Sequence, residues 1–178
     1  MEEAEIPTEQ LHEEMQHHAE HAPQRWIMGV ALTAALLAVL AAVASLLSGH
    51  HANEAMIDQI KASDAWSYYQ AKGIKAAIMD SRIDLRRALK QPVAREDAEA
   101  LARYGDEQKE ISAEAKQREA DSSAHLQRHQ IFSRAVTLFQ VAIGIAAISV
   151  LTRKRRFWFV SLAFAAFGLV FLLQGLAR

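Results

Sequence analysis

The chain has 178 residues, with 20 Lys and Arg against 21 Asp and Glu, a formal net charge of −1, and no cysteine. Without cysteine there is no disulfide, no thiol nucleophile and no thiolate metal site. The balanced charge and modest hydropathy average two unlike materials: long charge-free runs and a densely charged middle.

Residues 1–24, MEEAEIPTEQLHEEMQHHAEHAPQ, form an acidic, histidine-bearing tail. Pro7-Thr8-Glu9 reads as a helix start, with Thr8 as N-cap, Leu11 as an early apolar contact and Pro23 as the stop. A solvated tail is the competing reading. Trp26 to Leu47 then runs WIMGVALTAALLAVLAAVASLL without a charge. A bilayer core about 30 Å thick needs roughly 20 apolar residues in a helix. The expectation is a first transmembrane helix over residues 25–49. The run is too long for a signal peptide and follows an acidic tail, so it is expected to stay as an anchor.

Residues 50–130 are rich in Ala, Glu, Lys, Arg, Asp and Gln, the composition of long helices. Acids and bases are nearly equal there, which argues against a nucleic-acid partner. There are no β-branched runs to make strands. Ser48-Gly49 is a candidate break, but no proline follows, so the helix is expected to continue. Ile57, Ile60, Asp64, Ser67, Ala71, Ile74, Ile78, Ser81, Leu85 and Ala88 alternate three- and four-residue steps. That spacing predicts a coiled-coil seam with small and polar residues in its middle. Lys90-Gln91-Pro92-Val93 breaks the pattern, since proline lacks a donor and restricts Gln91 before it. A second polar helix starts near Ala94 or Arg95. The two arms, each about 60 Å if fully helical, imply an antiparallel hairpin with its turn near 90–94. The return arm, with Leu101, Tyr104, Ile111, Ala115 and Leu126, is poor in large apolar residues. So thin a hairpin is expected to pack against copies of itself.

Two further apolar runs follow. A second transmembrane helix is expected over 131–151 and a third over 157–178, joined by a basic loop over 152–156. Arg153, Lys154, Arg155 and Arg156 in so short a loop are the strongest orientation signal, because basic clusters in short loops stay cytoplasmic. This puts the N-terminus and loop inside, and the hairpin and C-terminus outside. Trp26 and Trp158 sit where interfacial anchors do. Mid-span there is no acid or base, so an ion relay has no carrier. Gln140 is a candidate interhelical contact, and Ala34, Ala38 and Ala42 allow close approach. Phe157, Phe164 and Phe171, seven apart, read as a packing or lipid face.

His50-His51-Ala52-Asn53-Glu54, followed by Ile60 through Lys75 (IKASDAWSYYQAKGIK), resembles a bacterial membrane family catalogued as domain of unknown function 4337. The resemblance extends over nearly the whole chain. It implies one span, a helical segment opening with the aspartate–tryptophan–tyrosine–tyrosine–glutamine block, and paired carboxy-terminal spans. It implies no reaction, cofactor or partner.

That block holds the densest informative side chains. Trp66, Tyr69 and Gly73 share a helix face, with Asp64, Tyr68, Gln70 and Lys72 beside them. Two readings stand: a subunit or partner contact built on Trp and Tyr, and ordinary packing against the return arm. Gly73 would permit close helix approach. Histidines form the second group. His17 and His21 lie one turn apart after Glu13, and Glu14 pairs with His18. His125 and His129 are one turn apart, and the hairpin would bring them level with His50 and His51. Imidazoles there would suit a divalent transition metal or a proton-sensitive collar. The competing reading is solvated histidine.

No nucleotide loop, nucleophile–base pair or metalloprotease motif is present in the sequence. The expectation is an all-α, non-enzymatic, homo-oligomeric protein of the bacterial inner membrane. Its hairpin would serve self-assembly or partner docking, its environment would be membrane lipid, and it would need no cofactor. A pore-forming or transporter-accessory subunit is the runner-up, and a histidine-based metal or pH sensor the third reading.

Overall fold

The computed structural model describes residues 25–177. They form three α-helices, α1 (Arg25–Ala88), α2 (Arg95–Thr152) and α3 (Arg155–Ala177), and no strand occurs among the described residues. Helix α1 passes through Ser48-Gly49 unbroken. Its stretch is rich in Ala and Leu, and one Gly in a helix costs only about 1 kcal/mol.

Both helix breaks are closed by backbone chemistry. At the end of α1, Lys90 takes the left-handed conformation with φ 55°. Its N–H bonds the Arg87 carbonyl and the Gln91 N–H bonds the Arg86 carbonyl, each within 3.0 Å. This is a Schellman cap with Lys90 where glycine is usual, followed by Pro92, which cannot continue a helix. Helix α2 then opens with Glu96 and Asp97 in its first turn, on the positive end of its dipole. At its other end Arg153 is also left-handed, φ 54°. The Ser149 hydroxyl donates to the Lys154 carbonyl at 3.1 Å, and Arg153 and Lys154 alone connect α2 to α3.

The chain divides into two compact units. One contains residues up to Ala52 and from Gln127 onward, the other Asn53–Leu126. In the first, the apolar unit, α2 is the central helix. Within its most apolar stretch 44% of residues are buried, against 22% for α1 and α3. Leu37, Ala41 and Ala44 of α1 meet Phe132, Ala135, Phe139 and Ile143 of α2 and Leu172 of α3. Nearer the basic turn, Trp26, Ile27, Val30 and Ala34 meet Ala146, Ala147 and Val150. The fit is tight at two glycines of α3. A methyl group at Gly168 would lie 2.8 Å from the Phe139 ring, and one at Gly175 would lie 2.6 Å from Phe132. Bare glycine backbone is what lets these rings seat. Phe164 and Phe171 pack against the same core, whereas Phe157 is exposed.

The outside of this unit is as apolar as its inside. Leu32, Leu36, Val39, Leu46, Phe159, Phe167, Val170 and Leu173 are all exposed. All three helices contain a stretch long and apolar enough to cross a membrane.

In the second, the hairpin unit, the two long helices pack together antiparallel. The seam is offset from the one that the apolar spacing predicts. Ile57, Ile60, Ile74, Ile78 and Leu85 point outward, between 42% and 63% exposed. The face turned to α2 carries Ala55, Asp58, Ala62 and Ile83, which are buried. They meet Asp97, Ile111, Ala115 and Ser122 of α2, also buried. Two physical reasons favour this register. Alanine lets the helices approach closely. Asp58, Lys72 and Arg82 find opposite charges at Arg118, Glu107 and Asp97.

Candidate functional site

The aromatic block on α1 is split between two faces. Trp66 donates its indole N–H to Glu119 Oε1 at 2.8 Å and meets Tyr69 edge-on, with ring centroids 5.5 Å apart. Gln108 of α2 donates to the Tyr69 carbonyl at 3.4 Å. It passes over Gly73, where a Cβ would lie 2.9 Å from its Nε2. So Gly73 does permit close approach, to the Gln108 amide. Trp66, Tyr69 and Gly73 thus join the arms of one hairpin, while Asp64, Tyr68 and Gln70 are exposed.

Lys72 is the centre of the block. It ion-pairs with Glu107. Its ammonium sits 5.1 Å from the Tyr68 ring centroid and 5.5 Å from that of Tyr104. The Arg103 guanidinium covers the same Tyr104 ring at 5.5 Å and approaches Glu107 at 3.7 Å. Hydrogen bonding to Glu107, and then to Tyr68, raises the Lys72 pKa above its ordinary 10.5.

Sequence reasoning passed over Glu107, Gln108 and Glu119, and with them the second anchor of the hairpin. This is Asp97, buried, with Arg82 at 3.4 Å and Arg86 at 3.6 Å. A third is Asp58, facing Arg118 at 3.5 Å, beside the buried Ser122, whose hydroxyl donates to the Ala55 carbonyl at 2.8 Å. Opposite charges recurring at 58 and 118, 72 and 107, and 82 and 97 were the available signal, since antiparallel arms bring these pairs level.

At one end of the apolar unit sits a compact polar knot. The buried Ser48 hydroxyl lies 2.9 Å from His129 Nδ1 and 2.9 Å from the Ser133 hydroxyl. His129 Nδ1 is also 3.0 Å from the Ser48 carbonyl. One consistent network has Nδ1–H donating to that carbonyl and the Ser48 hydroxyl donating to Ser133. His51 lies flat on the Phe132 ring, centroids 5.7 Å apart, with His50 beside it. Among the described residues no three of His, Asp and Glu are gathered as a metal ion requires. The metal reading of His50, His51, His125 and His129 therefore has no assembled ligand set behind it. His129 is held by Ser48 and His51 by Phe132. Glu13, Glu14, His17, His18 and His21 lie outside the described residues.

The other end of the unit carries the basic turn. Arg153, Lys154, Arg155 and Arg156 are all exposed. The Arg155 guanidinium lies 5.4 Å from the Trp26 ring centroid, and Trp158 donates to the Thr33 hydroxyl at 3.2 Å. These contacts bring the turn level with the start of α1. Two tryptophans and four cations therefore share one end of an apolar bundle.

Residues 26–178 match the family model described as "Domain of unknown function (DUF4337)". The chain belongs to this family. No curated protein and no solved structure matches it. The matched range takes in both units, so the apolar bundle and the hairpin are both parts of what the family model describes.

Proposed function

We propose that this chain is a non-enzymatic, multi-pass protein of the bacterial inner membrane, anchored by its three apolar helices. Its hairpin stands outside the bilayer for self-assembly or partner docking. The observation that carries this reading is the belt of outward Leu, Val and Phe around a bundle that is already well packed inside. Water would penalise such a surface, whereas lipid tails would cover it without cost. The cluster Arg153 to Arg156 supports the orientation, with the turn in the cytoplasm, and the tryptophans at the same end suit an interface. In the hairpin, Asp58, Lys72, Arg82 and Arg86 of α1 pair with charged groups of α2, as suits a spacer or docking element more than a reaction centre.

The test is direct because the chain has no cysteine. Gln91→Cys and Lys154→Cys variants are labelled in intact cells with a membrane-impermeant maleimide. Label is expected on Gln91→Cys alone, with Lys154→Cys reacting only after lysis. Label on Lys154→Cys alone would reverse the orientation. Release of the protein from membranes by alkaline carbonate would end the membrane reading.

A further inference from the structure

The outer face of α1 is a second heptad seam. Ile57, Ile60, Ile74, Ile78 and Leu85 keep the three- and four-residue steps of a coiled coil, yet α2 packs against a different face. From Ile57 to Ala88 the stripe runs about 48 Å, more than four heptads, which exceeds the length at which such spacing marks a coiled coil. Apolar side chains at this spacing on a solvated helix are a surface shaped for another helix.

We propose that this stripe pairs with the same stripe of a second copy, α1 against α1, parallel and in register. The inference rests on the membrane-anchored reading above and names the occupant of the docking surface. Charge decides both partner and direction. One flank of the stripe carries Lys61, Tyr68, Lys75 and Arg82, and the other carries Ser63, Gln70, Ala77 and Asp84. In a parallel pair each cationic flank lies along the other copy's second flank, which is uncharged apart from the acidic Asp84. An antiparallel pair would bring the two cationic flanks together. Two copies held in one bilayer with one orientation present the stripe in the parallel sense only. In register, each layer meets itself, so isoleucines face isoleucines and the small central residues Ser67 and Ala71 face their own kind. A two-fold, isologous contact of this kind is the commonest way for identical chains to associate. One layer opposes the pairing: Asp64 would face its own copy. A single polar residue at such a position sets register at the expense of affinity.

The experiment uses the full chain in lipid nanodiscs. Ile78→Cys is expected to form an interchain disulfide on mild oxidation, and Glu114→Cys, exposed on α2, is not. The Ile74→Asp/Ile78→Asp variant should weaken dimerisation by at least tenfold, read by native mass spectrometry, with helix content unchanged because both positions are exposed. Asp64→Asn should act in the opposite sense and tighten the dimer. Equal cross-linking at both cysteines, or a dimer indifferent to the paired aspartates, would overturn the seam. A monomeric wild-type chain would overturn the second-copy assignment. Retention in carbonate-washed membranes would show that the anchored reading survives that outcome.

Discussion

The two units hold together by different physics. In the apolar unit the fit is steric: Phe132 and Phe139 are essentially fully buried, and each ring sits where an α3 glycine leaves space. In the hairpin unit the only large apolar side chains buried are Ile83 and Ile111, among alanines and paired charges. Under the proposed membrane anchoring, lipid covers the outside and burying apolar area separates no helix from water, so specificity has to come from shape and close approach. In the hairpin, water competes for every contact, and the register is set by which charges come level. The apolar unit is therefore expected to be sensitive to volume, and the hairpin to charge and salt.

The largest effect should come from volume. Gly168→Ala/Gly175→Ala places methyl groups against the Phe139 and Phe132 rings. Overpacking of this kind typically costs about 1–3 kcal/mol. Thermal unfolding in detergent micelles should drop accordingly. Adding Phe132→Ala to Gly175→Ala should recover part of the loss, since the two sites are in contact and non-additive. Gly144→Ala is the control, because nothing lies near that position within van der Waals range.

Asp97→Ala should be next. It removes one carboxylate shared by Arg82 and Arg86, and the first-turn charge at the α2 N-terminus. Both arginines are partly exposed, so water replaces much of what is lost. An effect of roughly 1–2 kcal/mol follows for two ion pairs to partly exposed arginines together with the charge at the helix N-terminus. The gap between wild type and variant should narrow at 1 M salt, where screening acts within about 3 Å. A salt-independent gap would assign the effect to packing instead.

How much of this was legible in the sequence differs between the units. The three apolar helices follow from composition and length alone. The pairing of the two long helices follows from the break around Pro92. The face that pairs does not follow, because the rule that the most apolar stripe faces inward selects Ile57 to Leu85. The stripe that does face inward is built from Ala55, Asp58, Ala62, Lys72 and Ile83, of which only Ile83 is a large apolar residue. Likewise Phe157, Phe164 and Phe171 form a visible repeat of seven in the sequence. Gly168 and Gly175, with the same spacing against Phe139 and Phe132, make the tight contacts. Contacts that depend on missing volume leave little trace in the hydropathy of a sequence.

A smaller effect should sharpen the account of the hairpin turn. Lys90 holds a left-handed conformation that L-residues adopt at a cost and glycine adopts freely. Lys90→Gly should therefore stabilise the hairpin by up to about 1 kcal/mol, offset in part by the greater freedom of an unfolded glycine. The side chain is exposed, so little contact is lost. A fall in melting temperature would show that the lysine makes a contact outweighing its backbone conformation.

The smallest effect separates charge from shape in the aromatic block. Lys72 has its pKa raised, first by hydrogen bonding to Glu107 and then by Tyr68. The folded hairpin therefore favours the ammonium form more than the unfolded chain does. For a raised pKa, the stabilisation is fully present below the unfolded value of 10.5 and is lost as pH rises through the higher folded value. Lys72→Met keeps an apolar stem over Tyr68 and Tyr104 and removes the charge. Wild type should thus be more stable than this variant by a constant margin from pH 8 to 10, followed by circular dichroism during heating. Above pH 10.5 the margin should shrink, because wild type loses its ammonium and the variant has none to lose. Titrating groups remote from residue 72 act on both proteins and cancel in the difference. A margin unchanged at pH 11.5 would mean that Lys72 contributes through packing of its methylenes against the two tyrosines. The hairpin would then resemble the apolar unit at this point, held by shape rather than by charge.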